Sequence, residues 1–110
     1  MEIYQSSEIT VHKLNELKEE DSKIQIVDVR EDTEREHAYI KGTIHMKLSE
    51  ISNRYTELDK NKNIFVMCHV GKRSQTVCKW LKAQGLPHCV NVLGGIDAWA
   101  DLIDRNIRRY

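Results

Sequence analysis

A chain of 110 residues, 40% of them hydrophobic and 31% charged, has length for one domain and apolar material for one modest core, which argues against a second domain. Lys and Arg number 17 and Asp and Glu number 17, a balance without the basic footprint of a nucleic-acid or membrane-surface binder, so any anion site must be local. Five Gly and one Pro do not suit a linker or collagenous chain. No apolar run approaches the roughly 18–20 residues that span a bilayer, and Met1-Glu2-Ile3-Tyr4 lacks the basic start of a signal peptide, so the expected location is the cytoplasm.

In chain order, short β-rich runs alternate with amphipathic stretches, the pattern of an α/β domain. Thr10 is the expected cap of a first helix whose apolar face is Val11, Leu14 and Leu17. Ile24 to Val29 is nearly continuous in apolar residues, as a strand buried on both faces must be, and it closes on Asp28-Val29-Arg30. Asp32 to Lys41 is charged and holds one short helix; a weak strand near Thr43 to Met46 and a helix near Ser49 to Leu58 follow. Asn63 to Met67 is a second buried strand that stops abruptly at Cys68-His69-Val70-Gly71-Lys72-Arg73-Ser74, where a helix starts at once. Val77, Trp80, Leu81 and Gln84 fall at helical spacing, with Gly85 and Pro87 as the stop. Cys89 to Leu93 is a further strand, and Gly94-Gly95 turns into a last helix with Ile96, Trp99, Ala100 and Ile103 on one face. The polar, arginine-rich stretch from Asp104 to Tyr110 is expected on the surface.

The three cysteines, Cys68, Cys78 and Cys89, cannot all pair, and their spacing offers no C-x-x-C, so reduced thiols are expected and no metal site. In an open α/β sheet, sites form beyond the carboxyl ends of the strands. A parallel sheet would bring Asp28 and Arg30, Cys68, and Gly94-Gly95 to that one edge. The passage from strand to helix at Cys68 to Ser74 leaves amide N–H groups without helical partners, and Gly71 lets the loop curl so that they face inward. With the helix N-terminus, Arg73 and Lys72 nearby, Cys68 is expected to fall from about 8.5 toward roughly 3.5–7.5 and to act as a thiolate. The same field would hold an anion, and a soft sulfur is suited to attacking another sulfur. Cys78 and Cys89 read as packing residues, Trp80 and Trp99 as core anchors, and His69 as solvent-facing.

The segment Cys68-His69-Val70-Gly71-Lys72-Arg73-Ser74 resembles the C-x-x-G-x-R-S loop of rhodanese-like domains. Ile26-Val27-Asp28-Val29-Arg30 and Asn91-Val92-Leu93-Gly94-Gly95-Ile96-Asp97-Ala98-Trp99 resemble the same family's D-V-R strand end and G-G-x-x-x-W segment, and the resemblance runs from about Ile9 to Ile103. It implies a five-stranded, mostly parallel sheet with helices on both faces. It also implies a persulfide carried on Cys68, its outer sulfur cradled by the amides that follow, with His69, Val70, Gly71, Lys72, Arg73 and Ser74 as the binding loop. Arg73 would fix loop and anion, while Asp28, Arg30, Gly94 and Gly95 would support them. Where the family commonly has G-H-I-P-G-A, this chain has Ala38-Tyr39-Ile40-Lys41-Gly42-Thr43, so Tyr39 replaces a His and Lys41 a Pro.

The expected function is sulfur transfer from a small anionic donor such as thiosulfate, or from a persulfide, to a thiol acceptor or cyanide, protein persulfides included. No cofactor, nucleic acid or membrane is implied. Two alternatives stand beside it. One is a phosphatase or arsenate reductase, because cell-cycle phosphatases resemble this fold and use a Cys…Arg anion loop one residue longer than the four between Cys68 and Arg73. The other is a non-catalytic interaction module, against which the presence of Cys68 speaks.

Overall fold

The central strand, β4 (Ile64–Met67), has only apolar side chains and every one is buried, because both of its faces are covered. In the computed structural model, which describes residues 2–110, it is the middle of a five-stranded sheet. The strand order is β1 (Glu8–Ile9), β5 (Cys89–Val92), β4, β2 (Gln25–Asp28) and β3 (Ile44–His45), and all neighbouring pairs are parallel. The mostly parallel sheet implied by the family resemblance is therefore parallel throughout. β1 escapes sequence reading because two residues cannot display a period, and it exists through main-chain pairing with Asn91 and Val92.

Alternation along the strands divides the core in two. Val27, Val29, Ile64, Val66 and Cys68 face one layer with Ile51 of α3 (Leu48–Arg54) and Val77, Cys78 and Leu81 of α4 (Lys72–Ala83). Ile26, Phe65, Met67, Val90 and Val92 face the other, with Val11 and Leu14 of α1 (Val11–Glu20) and Ile96 and Trp99 of α5 (Gly95–Leu102). Asn91 lies between Val90 and Val92, so its side chain enters the α4 layer. Thr10 caps α1 as expected, accepting the Lys13 amide at 3.2 Å. The helix expected near Ser49 to Leu58 ends at Arg54 and tightens into a 3-10 turn, Tyr55–Glu57. α4 starts at Lys72, ahead of Ser74, because Gly71 takes φ +102° and turns the chain into the helix. Lys72, Arg73 and Ser74 thus form its first turn. Gly85, at φ +94°, follows the helix end, where the Leu86 amide bonds back to Leu81.

At the end of β2 the chain buries an ion pair. Arg30 is fully buried and binds both carboxylate oxygens of Asp28, at 2.9 and 2.8 Å, the planar fork matching the carboxylate. Its remaining donors reach the main-chain oxygens of Glu34 and Ala38, which ties α2 (Asp32–His37) to the sheet edge. Arg35 adds a bond of 3.1 Å to Asp28. A buried pair with its donors satisfied is costly to break from one side, since the partner charge stays behind. Arg30→Ala is expected to lower unfolding free energy by about 3 kcal/mol in urea titration, and Arg30→Lys to recover little of it, because an ammonium cannot make two parallel bonds.

Candidate active site

Cys68 follows the last residue of β4, and its main chain is held by the helix on the opposite layer. The first-turn amides of α5 at Ile96 and Asp97 donate to the carbonyl oxygens of Cys68 and His69, at 2.9 and 3.0 Å. Those α5 donors have no partner within their own helix, so the loop satisfies them. In exchange, both carbonyls point toward α5, and the trans peptides turn the amides of His69 and Val70 the other way. Gly95 makes this approach possible. A Cβ there would lie 2.6 Å from the His69 carbonyl oxygen and closer still to that of Cys68.

The sulfur is received by α4. Cys68 Sγ accepts the Gly71 amide at 3.1 Å and the Ser74 amide at 3.4 Å, and it lies 3.3 Å from Ser74 Oγ. Burial pushes the thiol up, while the Ser74 hydroxyl and the amides of Ser74, Gly71 and Arg73 pull it down, and the balance falls below the ordinary thiol value. The other thiols go the opposite way. Burial, with the neighbouring Cys89, pushes Cys78 up to about 12, and burial pushes Cys89 up to about 11. One thiol of three sits where amides converge.

Of the remaining residues singled out from sequence, Val70 and Lys72 are exposed on the outer rim and Gly94 is half-buried in the turn before α5. Arg73 is not free. Its Nη1 and Nη2 grip both oxygens of Glu34, at 2.6 and 2.8 Å. The guanidinium beside Glu34 holds that carboxyl down at about 2, so the clamp is ionised above that pH. Sequence reading credited Glu34 with nothing; its place three residues after Glu31 in a reciprocal capping arrangement is the one local signal it carries.

The tail lies on the surface as expected, with Arg105, Asn106, Arg108, Arg109 and Tyr110 exposed, but its last residue also reaches the loop. The Tyr110 hydroxyl donates to Glu34 at 2.8 Å and accepts from Arg30 Nη1 at 3.0 Å. Its ring stacks on His69, centroids 4.0 Å apart and planes within 10°. His69, expected to face solvent, is half-buried beneath it, with Nε2 buried and unpaired. Arg109 holds the tail through Asp97 at 3.0 Å and Asp101 at 3.2 Å. Asp28 and Arg30 thereby connect to Arg73 through Tyr110 and Glu34. Asn91, also missed, joins the site through Ser74 and Gly71.

Two outcomes follow from this geometry. Iodoacetamide at neutral pH is expected to label Cys68 well ahead of Cys78 and Cys89, as read by peptide mass, with the rate rising through a midpoint below that of an ordinary thiol. Gly95→Ala is expected to push the loop off α5, costing about 1–3 kcal/mol in stability and erasing that selectivity.

The chain matches the family model described as a rhodanese-like domain over residues 10–102. It is 36% identical over 92 residues to the "Putative sulfur carrier protein YrkF" of Bacillus subtilis (strain 168), covering 84% of this chain and spanning half of that protein's length. Against the "Putative sulfurtransferase YtwF" of the same strain it is 39% identical over 92 residues, 84% of this chain and 88% of that one. The crystal structure of a rhodanese-like domain protein from Staphylococcus aureus superposes with a TM-score of 0.80 at 33% identity, over 96% of this chain and 99% of the other. With the family model matched over most of the chain and the fold shared with a relative at 33% identity, the protein belongs to the rhodanese-like domain family.

Proposed function

We propose that this protein is a sulfurtransferase in which Cys68 accepts a sulfane sulfur and passes it on. The observation that carries the reading is the convergence of the Gly71 and Ser74 amides on Cys68 Sγ, in a chain whose other two thiols are pushed up by burial. The sulfurtransferase and sulfur-carrier names of its relatives support it.

In the first half-reaction the Cys68 thiolate attacks the outer sulfur of thiosulfate. An Sγ–S bond forms, the donor's S–S bond breaks, and sulfite leaves with the electron pair. The persulfide's charge rests on the outer sulfur, within reach of the loop amides, where fixed dipoles stabilise it without reorganisation. In the second half-reaction an acceptor thiolate attacks that outer sulfur, the Sγ–S bond breaks, and Cys68 is again a thiolate. A persulfide donor enters by the same route, releasing its thiolate in place of sulfite. The chemistry passes between sulfur atoms and calls on no metal or organic cofactor. Unpaired cysteines suit a reducing compartment, and we place the protein in the cytoplasm on that ground.

The engagement of Arg73 weighs against phosphoryl chemistry. A phosphatase needs its loop arginine free to fork onto the phosphoryl oxygens, whereas both Nη groups of Arg73 are bound to Glu34. Among the described residues no helix is long and apolar enough to cross a membrane.

Incubation with thiosulfate is expected to add the mass of one sulfur atom to the Cys68 peptide, to release sulfite in equal amount, and to do neither in Cys68→Ser. Sulfur appearing on Cys78 or Cys89 while Cys68 stays bare would defeat the assignment.

A further inference from the structure

Behind the sulfur lies a buried polar contact that the sulfur-transfer chemistry has not used. Ser74 Oγ is 2.5 Å from Asn91 Oδ1, and Asn91 Nδ2 donates to the Gly71 carbonyl at 3.1 Å. Cys68, Ser74 and Asn91 are all buried. The orientation of the amide is settled by its neighbours: a carbonyl oxygen only accepts, so Nδ2 must face Gly71 and Oδ1 must face Ser74. Two oxygens that close hold a proton between them, and Oδ1 has none to give. The Ser74 hydroxyl therefore points at Asn91. Its lone pairs are what face Sγ while the sulfur carries a proton, a favourable contact for a thiol that donates, and the hydroxyl can pull the thiol down only by turning its proton from Asn91 to the thiolate.

We propose that Asn91 is a positioning residue that decides where the Ser74 hydroxyl proton points, holding it away from Cys68 while the sulfur carries a proton or a second sulfur and yielding it when Sγ becomes an anion. This rests on the sulfurtransferase reading for its place in the cycle. In the persulfide the charge is on the outer sulfur, so Sγ has no need of the hydroxyl and the proton stays with Asn91. As the acceptor attacks, the Sγ–S bond breaks and its electron pair returns to Sγ. The hydroxyl then rotates from Oδ1 to the leaving sulfur, with no proton transferred. Asn91 thereby tilts Cys68 toward a more basic thiolate, which attacks better and leaves less readily.

The other groups around the sulfur do not perform this task. Arg73 carries a positive charge that senses Cys68 but is bound to Glu34. Cys78 stays protonated well above neutrality, and the His69 ring is stacked under Tyr110.

The test is a double-mutant cycle on the full chain, using Asn91→Ala and the bulkier Asn91→Leu, each with and without Ser74→Ala. The pH profile of iodoacetamide alkylation at Cys68 is read by peptide mass, and folding is verified by circular dichroism. With Ser74 present, loss of Asn91 is expected to move the profile's midpoint down by about 0.5 to 1 pH unit, the value of the one Ser74–Asn91 hydrogen bond that no longer has to be broken when the sulfur ionises. With Ser74→Ala in place, loss of Asn91 should move it no further. The half-reactions, followed separately above both midpoints, should split: loading from thiosulfate slows and discharge to glutathione quickens, each about twofold. An equal midpoint shift with and without the hydroxyl, an upward shift, or half-reactions moving together would overturn the proposal. If neither thiosulfate nor glutathione persulfide loads wild-type Cys68, the sulfurtransferase reading fails, and the alkylation cycle by itself still decides the role of Asn91. If Asn91→Ala does not fold, Asn91→Leu, which fills the side-chain space, carries the same comparison.

Discussion

The site depends on one arrangement of hydrogen-bond donors: α4 begins immediately behind the end of β4, and the first amides of its turn have only a sulfur to bond to. A helix leaves its first four N–H groups without internal partners, and burial makes each of them expensive to leave unsatisfied. Gly71 and Ser74 settle part of that debt on Cys68 Sγ, which is itself buried. Stabilisation of the helix start and activation of the thiol are the same contacts. Gly71, at φ +102°, permits the turn, and a Cβ there would press at 3.3 Å on the Gly94 amide of the neighbouring turn. Both glycine turns are thus used in bringing two helix starts against one short loop.

The loop is held from two sides by different physics. On the α5 side the restraint is main-chain, with two amides on two carbonyls and Gly95 allowing the approach. On the outer side it is ionic, with Arg73 gripping Glu34, Glu34 accepting Tyr110, and Tyr110 accepting Arg30 from the buried pair with Asp28. This chain of contacts links α2, the end of β2, the tail and α4 without touching the sulfur. It neutralises Arg73 locally, which leaves the amides as the nearest positive ends for a developing sulfur charge.

Burial acts in opposite directions on the three thiols because of what else is near them. Cys78 and Cys89 meet apolar neighbours in the α4 layer and no converging amides, so desolvation prevails and they remain inert. Cys68 is as deeply buried, yet hydrogen bonds to its sulfur reverse the balance. Depth by itself therefore predicts nothing about reactivity here.

The order of elements, the apolar strands on either side of the loop, the Thr10 cap, the glycine stop at Gly85 and the special position of Cys68 were legible in the residues, since each rests on local periodicity or on a residue type with one conformational use. The loop from Cys68 to Ser74 was legible for the same reason: strand, glycine and helix start are neighbours in sequence. Glu34, Asn91 and Tyr110 were not. Each reaches the site across a separation that no local pattern records, Glu34 standing 39 residues from Arg73 and Tyr110 standing 76 from Glu34. Asn91 in a buried strand reads as an interruption until alternation and parallel pairing turn it toward Ser74. The sequence by itself determined which sulfur would meet unsatisfied amides, because that follows from a helix beginning just behind a strand. Tertiary structure decided where the charges around it would be spent and which way the Ser74 hydroxyl would point, because those contacts exist only after distant segments are packed on one edge of the sheet.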